Sequence, residues 1–506
     1  MTSLETTMEI HSLKRRSAAV LVAVCLASAS MPLAFTGPTI ALPAIGAALG
    51  GSPVSISWAT NAYLLTFGSL LLAAGAIADR YGRKRVFAIA TGAFALLSLM
   101  LAFAPDMTSF NLIRAAQGVM AAAAMSAGMA VLAQEFQGPG QLRAFSFVGM
   151  SFGVGLSVAP IASGYVFELF GWRSIFALVV AFDVAAFLIG IVFMAESRDP
   201  EATTIDWPGS VSFTVALATL TTAILEGPGR GWSDPMVVTF FGAAAALLVA
   251  FVVIERRVSR PMLDLDLFRY RQFVGVQLLA AAPAYGFVVL LILLPIRLVG
   301  IDGMSAPEAG QTMLAMSAPL LLLPLLAGSL TRWLSPATLC GLGLVVTCVG
   351  VFWLGQVPIG AGAADLVPPL LVIGLGISFP WGLMDGLAVS VVPKERAGMA
   401  AGIFGTVRVA GEGVALALAT ALLSGLAQAR VLPLIAQPEA SSLIAERLAT
   451  GDFGGASALA PEVSPPALLA SYGHAFSALT LCLATVTLIT ALVVFLSLRP
   501  PAAHKA

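Results

Sequence analysis

The sequence GAIADRYGRKRV, Gly75–Val86, is a short charged turn between two long apolar runs. Gly75 permits close packing of helices, Asp79 can cap the following helix or pair with an arginine, and Gly82 allows a tight reversal. The simplest interpretation is a hairpin that keeps positive charge on the cytoplasmic side of a membrane. The spacing G-x-x-x-D-R-x-G-R-K is more specific than that interpretation requires. The basic residues of the turn are Arg80, Arg83, Lys84 and Arg85.

The composition places the whole chain in a lipid environment. Hydrophobic residues make up 59% of its 506 residues, charged residues make up 10%, and the mean hydropathy is +0.96. Soluble domains carry about 25% charged residues, so we predict an all-α membrane protein. The net charge of zero gives no case for a nucleic-acid partner. The three histidines are scattered and the four cysteines lie in apolar runs, so we expect neither a metal site nor a disulfide nor a cofactor.

Fourteen apolar runs are long enough to cross a bilayer as helices, which need about 20 residues each. If the N-terminus is cytoplasmic, 19 of the 26 basic residues fall in cytoplasmic segments. The charge bias and the even count therefore predict a multi-pass protein of the cell membrane with both termini in the cytoplasm. The predicted spans are 18–42, 57–78, 86–104, 110–134, 145–167, 174–194, 208–226, 236–254, 274–299, 311–330, 338–356, 366–391, 398–424 and 473–497.

The turn at Gly75–Val86 resembles the signature that the major facilitator superfamily carries between its second and third helices. Span 4 carries RAAQG, Arg114–Gly118, which is similar to the R-x-x-Q-G of that family. Span 5 carries GLSVAPIASG, which is similar to the antiporter signature of the family, although Ala159 and Ser163 replace two glycines. The signature residues that remain are Gly155, Pro160 and Gly164.

Other segments resemble the fourteen-span drug:proton antiporter branch of the superfamily. IDWPG, EGPGRGW and RPMLDLDLFRYRQF look like the region around its two extra helices, and VPKERAGMAAGIFGTVRVAGEGVA looks like the start of its thirteenth helix. The resemblance implies a major facilitator fold, with 14 transmembrane helices in two six-helix bundles plus two inserted central helices. The implied divisions are a cytoplasmic N-terminus 1–17, bundles 18–194 and 274–497, inserted helices 208–254, a cytoplasmic linker 255–273, an extracytoplasmic loop 425–472 and a cytoplasmic C-terminus 498–506.

Ionisable residues inside spans are costly unless they are paired or hydrated, so each one is a functional candidate. Arg408 and Glu412 lie one helical turn apart in FGTVRVAGEGVALALATALL, either as a self-neutralising structural pair or as a pair that protonation of Glu412 switches. Asp385 either contacts substrate or protons or caps the cytoplasmic end of span 12. By resemblance, Arg114 takes part in proton handling, and Asp183 lies on a peripheral helix. The five intramembrane candidates for proton coupling are Arg114, Asp183, Asp385, Arg408 and Glu412.

One departure from the family pattern concerns the first helix. Many drug antiporters of this branch have an acid before an A-L-P signature, but MPLAFTGPTIALPAI, Met31–Ile45, has none. Either proton coupling has moved to Glu412 or Asp385, or the coupling differs. The missing acid also weakens the case for cationic substrates. Candidates for an adaptable substrate cavity, with ordinary helix packing as the alternative, are Trp58, Tyr63, Gln117, Tyr285, Trp381 and Met384.

These features predict a secondary transporter and not an enzyme, namely a proton-coupled exporter of small amphipathic compounds that works by alternating access. The chain has no G-x-x-x-x-G-K-[ST] segment, so ATP is not its direct energy source. We expect a monomer whose partners are a small molecule, protons and membrane lipid, and a periplasmic adaptor is left open. The alternatives are a dedicated metabolite or self-resistance exporter, an uptake carrier, and a transport-inactive sensor or scaffold. By resemblance, the conformational-switch loop comprises Gly75, Asp79, Arg80, Gly82 and Arg83.

Overall fold

A computed structural model describes residues 3–137, 139–198, 206–258, 261, 263, 265–392, 397–435 and 437–499. Long helices dominate this part of the chain, and we number those that correspond to the predicted spans α1 to α14. The first seven are α1 Ser3–Thr36, α2 Pro53–Tyr81, α3 Arg83–Leu101, α4 Met107–Glu135, α5 Pro139–Phe170, α6 Ile175–Phe193 and α7 Trp207–Arg230. The others are α8 Pro235–Glu255, α9 Arg271–Gly300, α10 in two pieces Ala306–Ser317 and Pro319–Leu330, α11 Pro336–Leu354, α12 Ala363–Ser390, α13 Ala397–Val431 and α14 Pro465–Leu498.

By length and composition, thirteen segments of the described chain can cross a membrane. The exception is α10, because each of its two pieces has only 12 residues. The break follows from Pro319, which has no backbone N–H to continue the helical hydrogen bonds. Ala318 between the pieces keeps helical angles of φ −57° and ψ −37°, so the chain runs on in the same direction. Span 10 therefore exists but is interrupted, and the fourteen-helix fold is confirmed.

The helices form two bundles that contact one another along two helix pairs. In the first bundle α2 and α3 pack on α4, and α1 packs on α5 and α6. In the second, α11 packs on α12 and α14, while α10 packs on α12 and α13 packs on α14. The inserted helices α7 and α8 pack on each other, and α7 lies against α2 and α13. The two bundles meet where α2 packs on α13 and where α5 packs on α10.

Two faces of the molecule differ in how closely the bundles approach. We call the face that carries Arg80, Arg83, Lys84 and Arg85 the basic face, and the opposite one the distal face. In the distal half, a Cβ added to Gly164 of α5 would stand 2.5 Å from the carbonyl oxygen of Ala306 in α10. Towards the basic face the pair separates, since a Cβ on Gly149 of α5 would meet nothing within 4 Å. The bundles are therefore closed against each other on the distal side.

The two long connections differ from their predicted character. The basic sequence of the linker 255–273 is compatible with an amphipathic helix along the membrane surface, but between α8 and α9 the described residues form only one 3-10 turn, Leu265–Arg269. The Ala, Pro and Ser content of the loop 425–472 favours a tether over a functional lid, but the loop contains two helices, Ser441–Ala449 and Phe453–Leu459. The tether interpretation is wrong because one face of the first helix, including Ile444 and Leu448, is fully buried.

Candidate functional site

The charged turn on the basic face is held by an internal ion pair. Nε of Arg83 donates a hydrogen bond of 2.8 Å to Oδ1 of Asp79, and Nη1 donates to Oε1 of Gln134 in α4 at 3.3 Å. Gly82 has φ +112°, a conformation that favours glycine. Arg80 is exposed, with its guanidinium 5.4 Å from the Tyr81 ring centroid. These contacts of the turn all stay within the first bundle.

Glu196, which follows α6, is part of the same turn, and the sequence analysis missed it. Its two carboxylate oxygens accept hydrogen bonds of 3.2 Å from the backbone N–H groups of Lys84 and Arg85. A Cβ on Gly82 would stand 2.6 Å from Oε1 of Glu196. An acid at the first turn of α3 complements the helix dipole. Its signal in the sequence is an acid placed directly after span 6, in MAESRD.

Arg114 of α4 is a hydrogen-bonded cross-link inside the first bundle. Its Nε donates to the carbonyl oxygen of Ala59 at 2.7 Å, and its Nη1 donates to that of Ala34 at 3.0 Å. Nη1 also donates to Oε1 of Gln117, and the guanidinium lies 4.6 Å from the ring centroid of Tyr63. Because Arg114 is only 1% exposed, one side chain joins α1, α2 and α4 without access to water.

Most candidates for the substrate cavity lie in helix packing in this conformation. Tyr63 and Gln117 are completely buried beside Arg114, and Gln117 donates to Oγ of Ser98 at 2.7 Å. Trp381 packs edge to face on Phe287 at 6.0 Å, and the Met384 side chain beside it on α12 is completely buried. The remaining candidates are also in contact with other helices: Trp58 packs against α7 and α13, and the Tyr285 hydroxyl contacts Oγ1 of Thr490. Their role as cavity residues stays a prediction.

The glycine positions of the antiporter-like segment allow close helix contacts. A Cβ on Gly155 would stand 2.3 Å from the carbonyl oxygen of Ala29, so α5 lies directly on α1 there. The other two signature positions face the second bundle. Pro160 presents its carbonyl oxygen 2.7 Å from the Cβ position of Gly310, and Gly164 contacts Ala306. In this conformation α5 therefore forms part of the distal closure between the bundles.

The other contact between the bundles is the seam of α2 and α13. A Cβ on Gly68 would stand 2.2 Å from the backbone nitrogen of Ala410, and one on Gly405 would stand 2.7 Å from Leu71 Cδ2. Gly413 continues the seam, with its Cβ position 3.3 Å from Leu64. Backbones this close leave no room for larger residues. The close contact along the seam therefore fixes the position of α13 relative to α2, and with it the position of the charged residues on α13.

Arg408 of α13 forms its ion pair with Asp385 of α12. Its Nη1 lies 3.5 Å from Oδ1 of Asp385, whose side chain is 62% exposed. The guanidinium also lies 5.7 Å from the ring centroid of Phe152, a residue of α5 in the first bundle. Arg408 thus joins α12 and α13 and faces the opposite bundle. We call Arg408, Asp385, Glu412 and Phe152 the seam cluster.

The predicted pairing of Arg408 with Glu412 is wrong for this conformation. Among the described residues, the Glu412 carboxylate makes no hydrogen bond and no ion pair within 4 Å, although the side chain is only 2% exposed. Spacing along one helix brings the two side chains to the same face, but the guanidinium extends across to α12 instead. One turn further along that face, Leu416 borders a small cavity that Leu42 and Ile292 also line. Glu412 therefore lies near the axis between the bundles.

Two other buried charges lie away from the seam cluster. Asp183 accepts a hydrogen bond of 3.1 Å from Oγ of Ser30 and is buried between α6 and α1. Arg297, near the end of α9, is completely buried, with its Nε atom 3.1 Å from Oδ2 of Asp302. In the part of the chain that is described, no three His, Cys, Asp or Glu side chains come close enough to hold a metal ion. The seam cluster is the candidate functional site because, among the residues predicted from the sequence and described by the structure, it combines charge with a position that faces the opposite bundle.

Comparison with known proteins agrees with this geometry. Residues 22–416 match the sequence profile of the Major Facilitator Superfamily. The chain is 31% identical to a puromycin resistance protein of Streptomyces alboniger, over 80% of this chain and 81% of that protein. It is 27% identical to the multidrug resistance protein Stp of Mycobacterium tuberculosis (strain CDC 1551 / Oshkosh), over 78% and 73% of the two chains. It is 25% identical to a tetracenomycin C resistance and export protein of Streptomyces glaucescens, over 77% and 73%.

Solved structures show the same fold at low sequence identity. A bacterial homologue of the human lysosomal transporter Spinster, in an inward-facing and unoccupied conformation, superimposes with a TM-score of 0.63. The two chains are 15% identical, and the match covers 96% of this chain and 97% of the other.

Proposed function

Because this chain belongs to the major facilitator superfamily, we propose that it exports small amphipathic antibacterial compounds in exchange for protons. Transport of a small molecule follows from the family, and export is supported by relatives that are named for antibiotic or multidrug resistance. The observation that carries the proposal is the Arg408–Asp385 pair, which faces Phe152 of the other bundle. An ion pair of the second bundle that faces the first can respond to substrate and protons and alter how the two bundles rock against one another.

The proposed cycle starts from the conformation described above. The distal halves of α5 and α10 are in contact, while Asp385 is exposed, so substrate enters from the basic face. Glu412 holds a proton because it is buried and has no partner within 4 Å among the described residues, and an ionised carboxylate is costly there. Substrate that binds at Asp385 releases the guanidinium of Arg408. Arg408 then pairs with Glu412 one turn away, after the Glu412 proton has left towards the basic face.

The remaining assignments belong to the same proposal. The basic face lies in the cytoplasm of a bacterial cell, the protein is a monomer in its plasma membrane, and both termini are cytoplasmic. Residues 18–194 and 274–497 move as two units. The Asp79 turn stabilises the opposite, outward-open state by contacting the second bundle on the basic face. Asp79→Asn should then abolish transport while the protein still reaches the membrane, and full activity of this variant would contradict the assigned role.

A transport assay tests the proposed function directly. The gene is expressed in a drug-sensitive bacterial host, and puromycin and tetracenomycin C are compared as substrates. The proposal predicts lower accumulation of at least one compound, and restored accumulation when a protonophore collapses the proton gradient. Accumulation above that of the empty host would indicate an uptake carrier. Loss of the effect with an Arg408→Ala variant of equal abundance would assign transport to the seam cluster.

A dedicated exporter of one compound is the second candidate. Two relatives carry names that refer to a single antibiotic, puromycin or tetracenomycin C. A resistance profile restricted to one chemical scaffold would favour this candidate over a multidrug exporter. Both candidates use the same seam cluster, so the Arg408→Ala control applies to either.

A further inference from the structure

The loop between α13 and α14 folds into a cap over the distal end of the seam. Its helix Ser441–Ala449, which we call the cap helix, packs against α13, α7 and α2. Next to it, a Cβ on Gly451 would stand 3.3 Å from Pro43, and Gly300 approaches the carbonyl oxygen of Gly451. The cap thus touches the first bundle, the second bundle and the inserted helices together. Separation of the bundles at the distal face requires the cap to shift.

Glu446 of the cap helix is placed where a negative charge is unfavourable. Its Oε1 atom is buried and has no hydrogen-bond partner in the part of the chain that the structure describes. A Cβ on Gly229 would stand 2.3 Å from this atom, so the carboxyl group lies directly over the last turn of α7. The C-terminal end of a helix carries partial negative charge from its free carbonyl groups. A neutral carboxyl group can donate a hydrogen bond there, whereas an ionised one is repelled.

The charged groups around Glu446 do not neutralise the negative charge that its carboxylate would carry. On α7, Glu226 is bonded to Arg230, with Oε2 and Nε 2.6 Å apart, so that cation is already in use. On the cap itself, Nη1 of Arg447 is bonded to Asp452, and Glu439 before the helix is exposed. The facing turns of α2 and α13 contribute only uncharged polar groups. These are Ser57, Thr420 and Ser424.

A cavity adjoins Glu446 between the three helices that the cap covers. Its polar lining includes Ser424, which is 3% exposed and whose Oγ atom has no partner. The apolar part of the lining comes from Val54 of α2 and Leu225 of α7. The cavity has room for a water molecule beside the carboxyl group.

We propose that Glu446, together with Glu226, forms a second proton-binding site, and that a proton bound there holds the cap closed on the distal face. The site itself is independent of the transported compound, although its place in a transport cycle rests on the proposed function. In that cycle, protons outside the cell favour closure after substrate release. The incoming proton thereby promotes the return of the transporter to the conformation described here.

The pKa of the Glu446 carboxyl group agrees with this geometry. Burial, followed by the charge of Glu226, raises the pKa of Glu446 from 4.5 to about 6. A carboxyl group that is easier to protonate in the closed state favours closure at low pH. The stabilisation of the closed state by this proton is complete below the ordinary pKa of the Glu446 carboxyl group. It is lost as the pH rises through about 6. The difference between a pKa of 4.5 and one of about 6 changes the ratio of closed to open cap about 30-fold.

Distance measurement between spin labels tests the site without transport. Labels are placed at Leu443 on the cap helix and Met236 at the start of α8, both exposed positions. The full chain, with its four native cysteines replaced, is reconstituted in lipid nanodiscs and measured from pH 4 to pH 8 without substrate. We expect one distance at low pH and a second, longer one that grows as the pH rises. A single distance that does not respond to pH would overturn the proposal.

Three variants separate the site from general effects of pH. Glu446→Gln should keep the low-pH distance throughout, and Glu226→Gln should shift the transition to lower pH. Glu439→Gln, which removes an exposed acid of the same loop, should behave like the parent protein. An unchanged transition in Glu446→Gln would refute the site. If that variant fails to fold, Glu226→Gln is the test, and an unchanged transition in Glu226→Gln would then refute the site. Efflux is measured separately, so a pH response without efflux would contradict only the proposed function.

Discussion

Arg114 and Arg408 are both arginines inside membrane helices, yet their surroundings are opposite. Arg114 is 1% exposed and donates to two backbone carbonyl groups and Gln117 within one bundle. Arg408 makes one 3.5 Å ion pair, and its partner is 62% exposed. A charge that is held by three hydrogen bonds inside one bundle has little reason to move, whereas one with a single long contact can exchange partners. The comparison teaches that a charge with several hydrogen bonds inside one bundle identifies structure, whereas a weakly bonded charge that faces the other bundle identifies function.

Replacement of Arg114 by alanine should have the largest effect on stability. The variant loses charge-assisted hydrogen bonds and leaves a cavity in the first bundle, which we expect to cost about 2–5 kcal/mol. Thermal unfolding in detergent would measure the loss, with Arg332→Ala, an exposed arginine, as the control. Normal stability of Arg114→Ala together with lost transport would break the comparison, because Arg114 would then act like Arg408.

A methyl group at Gly68 should have the next largest effect. The Cβ would stand 2.2 Å from the backbone of Ala410, so α2 and α13 must separate, at a cost of about 1–3 kcal/mol. Gly411→Ala is the matched control, because its Cβ would meet nothing within 4 Å. Both variants are compared by thermal unfolding and by efflux. Equal behaviour of the two would show that the seam tolerates wider spacing than this structure indicates.

Gln117→Leu should have an intermediate effect that sharpens the role of Arg114. The substitution removes one acceptor of Arg114 and leaves its two carbonyl acceptors in place, at an expected cost of about 1–2 kcal/mol. Because Gln117 is completely buried in the first bundle, we expect the substrate profile to stay unchanged. A changed profile at normal stability would support the prediction that Gln117 lines the substrate cavity in another conformation.

Arg408→Ala should change stability least, by less than about 1 kcal/mol, because it removes one ion pair with an exposed partner. The same substitution should abolish efflux, since it removes the cation that responds to substrate and proton. Arg408→Lys keeps the charge and should retain part of the activity. Efflux by Arg408→Ala at the level of the parent protein would remove the basis for assigning function to the seam cluster.

The sequence predicts the fold almost completely because bilayer crossing depends on run length and composition. Basic residues such as those of the Gly75–Val86 turn mark one face without any tertiary information. The break in α10 could be inferred only in part, since Pro319 disturbs a helix without deciding whether the span bends or ends. The cap helix was missed because its nine residues are too few for periodicity to separate it from a loop.

The site was less predictable because its contacts join different helices. The sequence identifies Arg408, Asp385 and Glu412 as candidates, since each charge is unusual in its span. It does not show that Arg408 reaches Asp385, which lies 23 positions earlier on another helix. The spacing of Arg408 and Glu412 instead favours a local pair. Phe152 and Glu446 become relevant only when the bundles and the cap are assembled.

The most direct test of the central claim is proton release from purified protein when substrate is added. The protein in weakly buffered detergent solution carries a pH-sensitive dye, and the substrate is the compound that the efflux assay identifies. The account predicts release by the parent protein and none by Glu412→Gln that still binds the compound and remains folded. Release of equal size by Glu412→Gln would contradict proton exchange at Glu412 and leave the seam cluster without its coupling role.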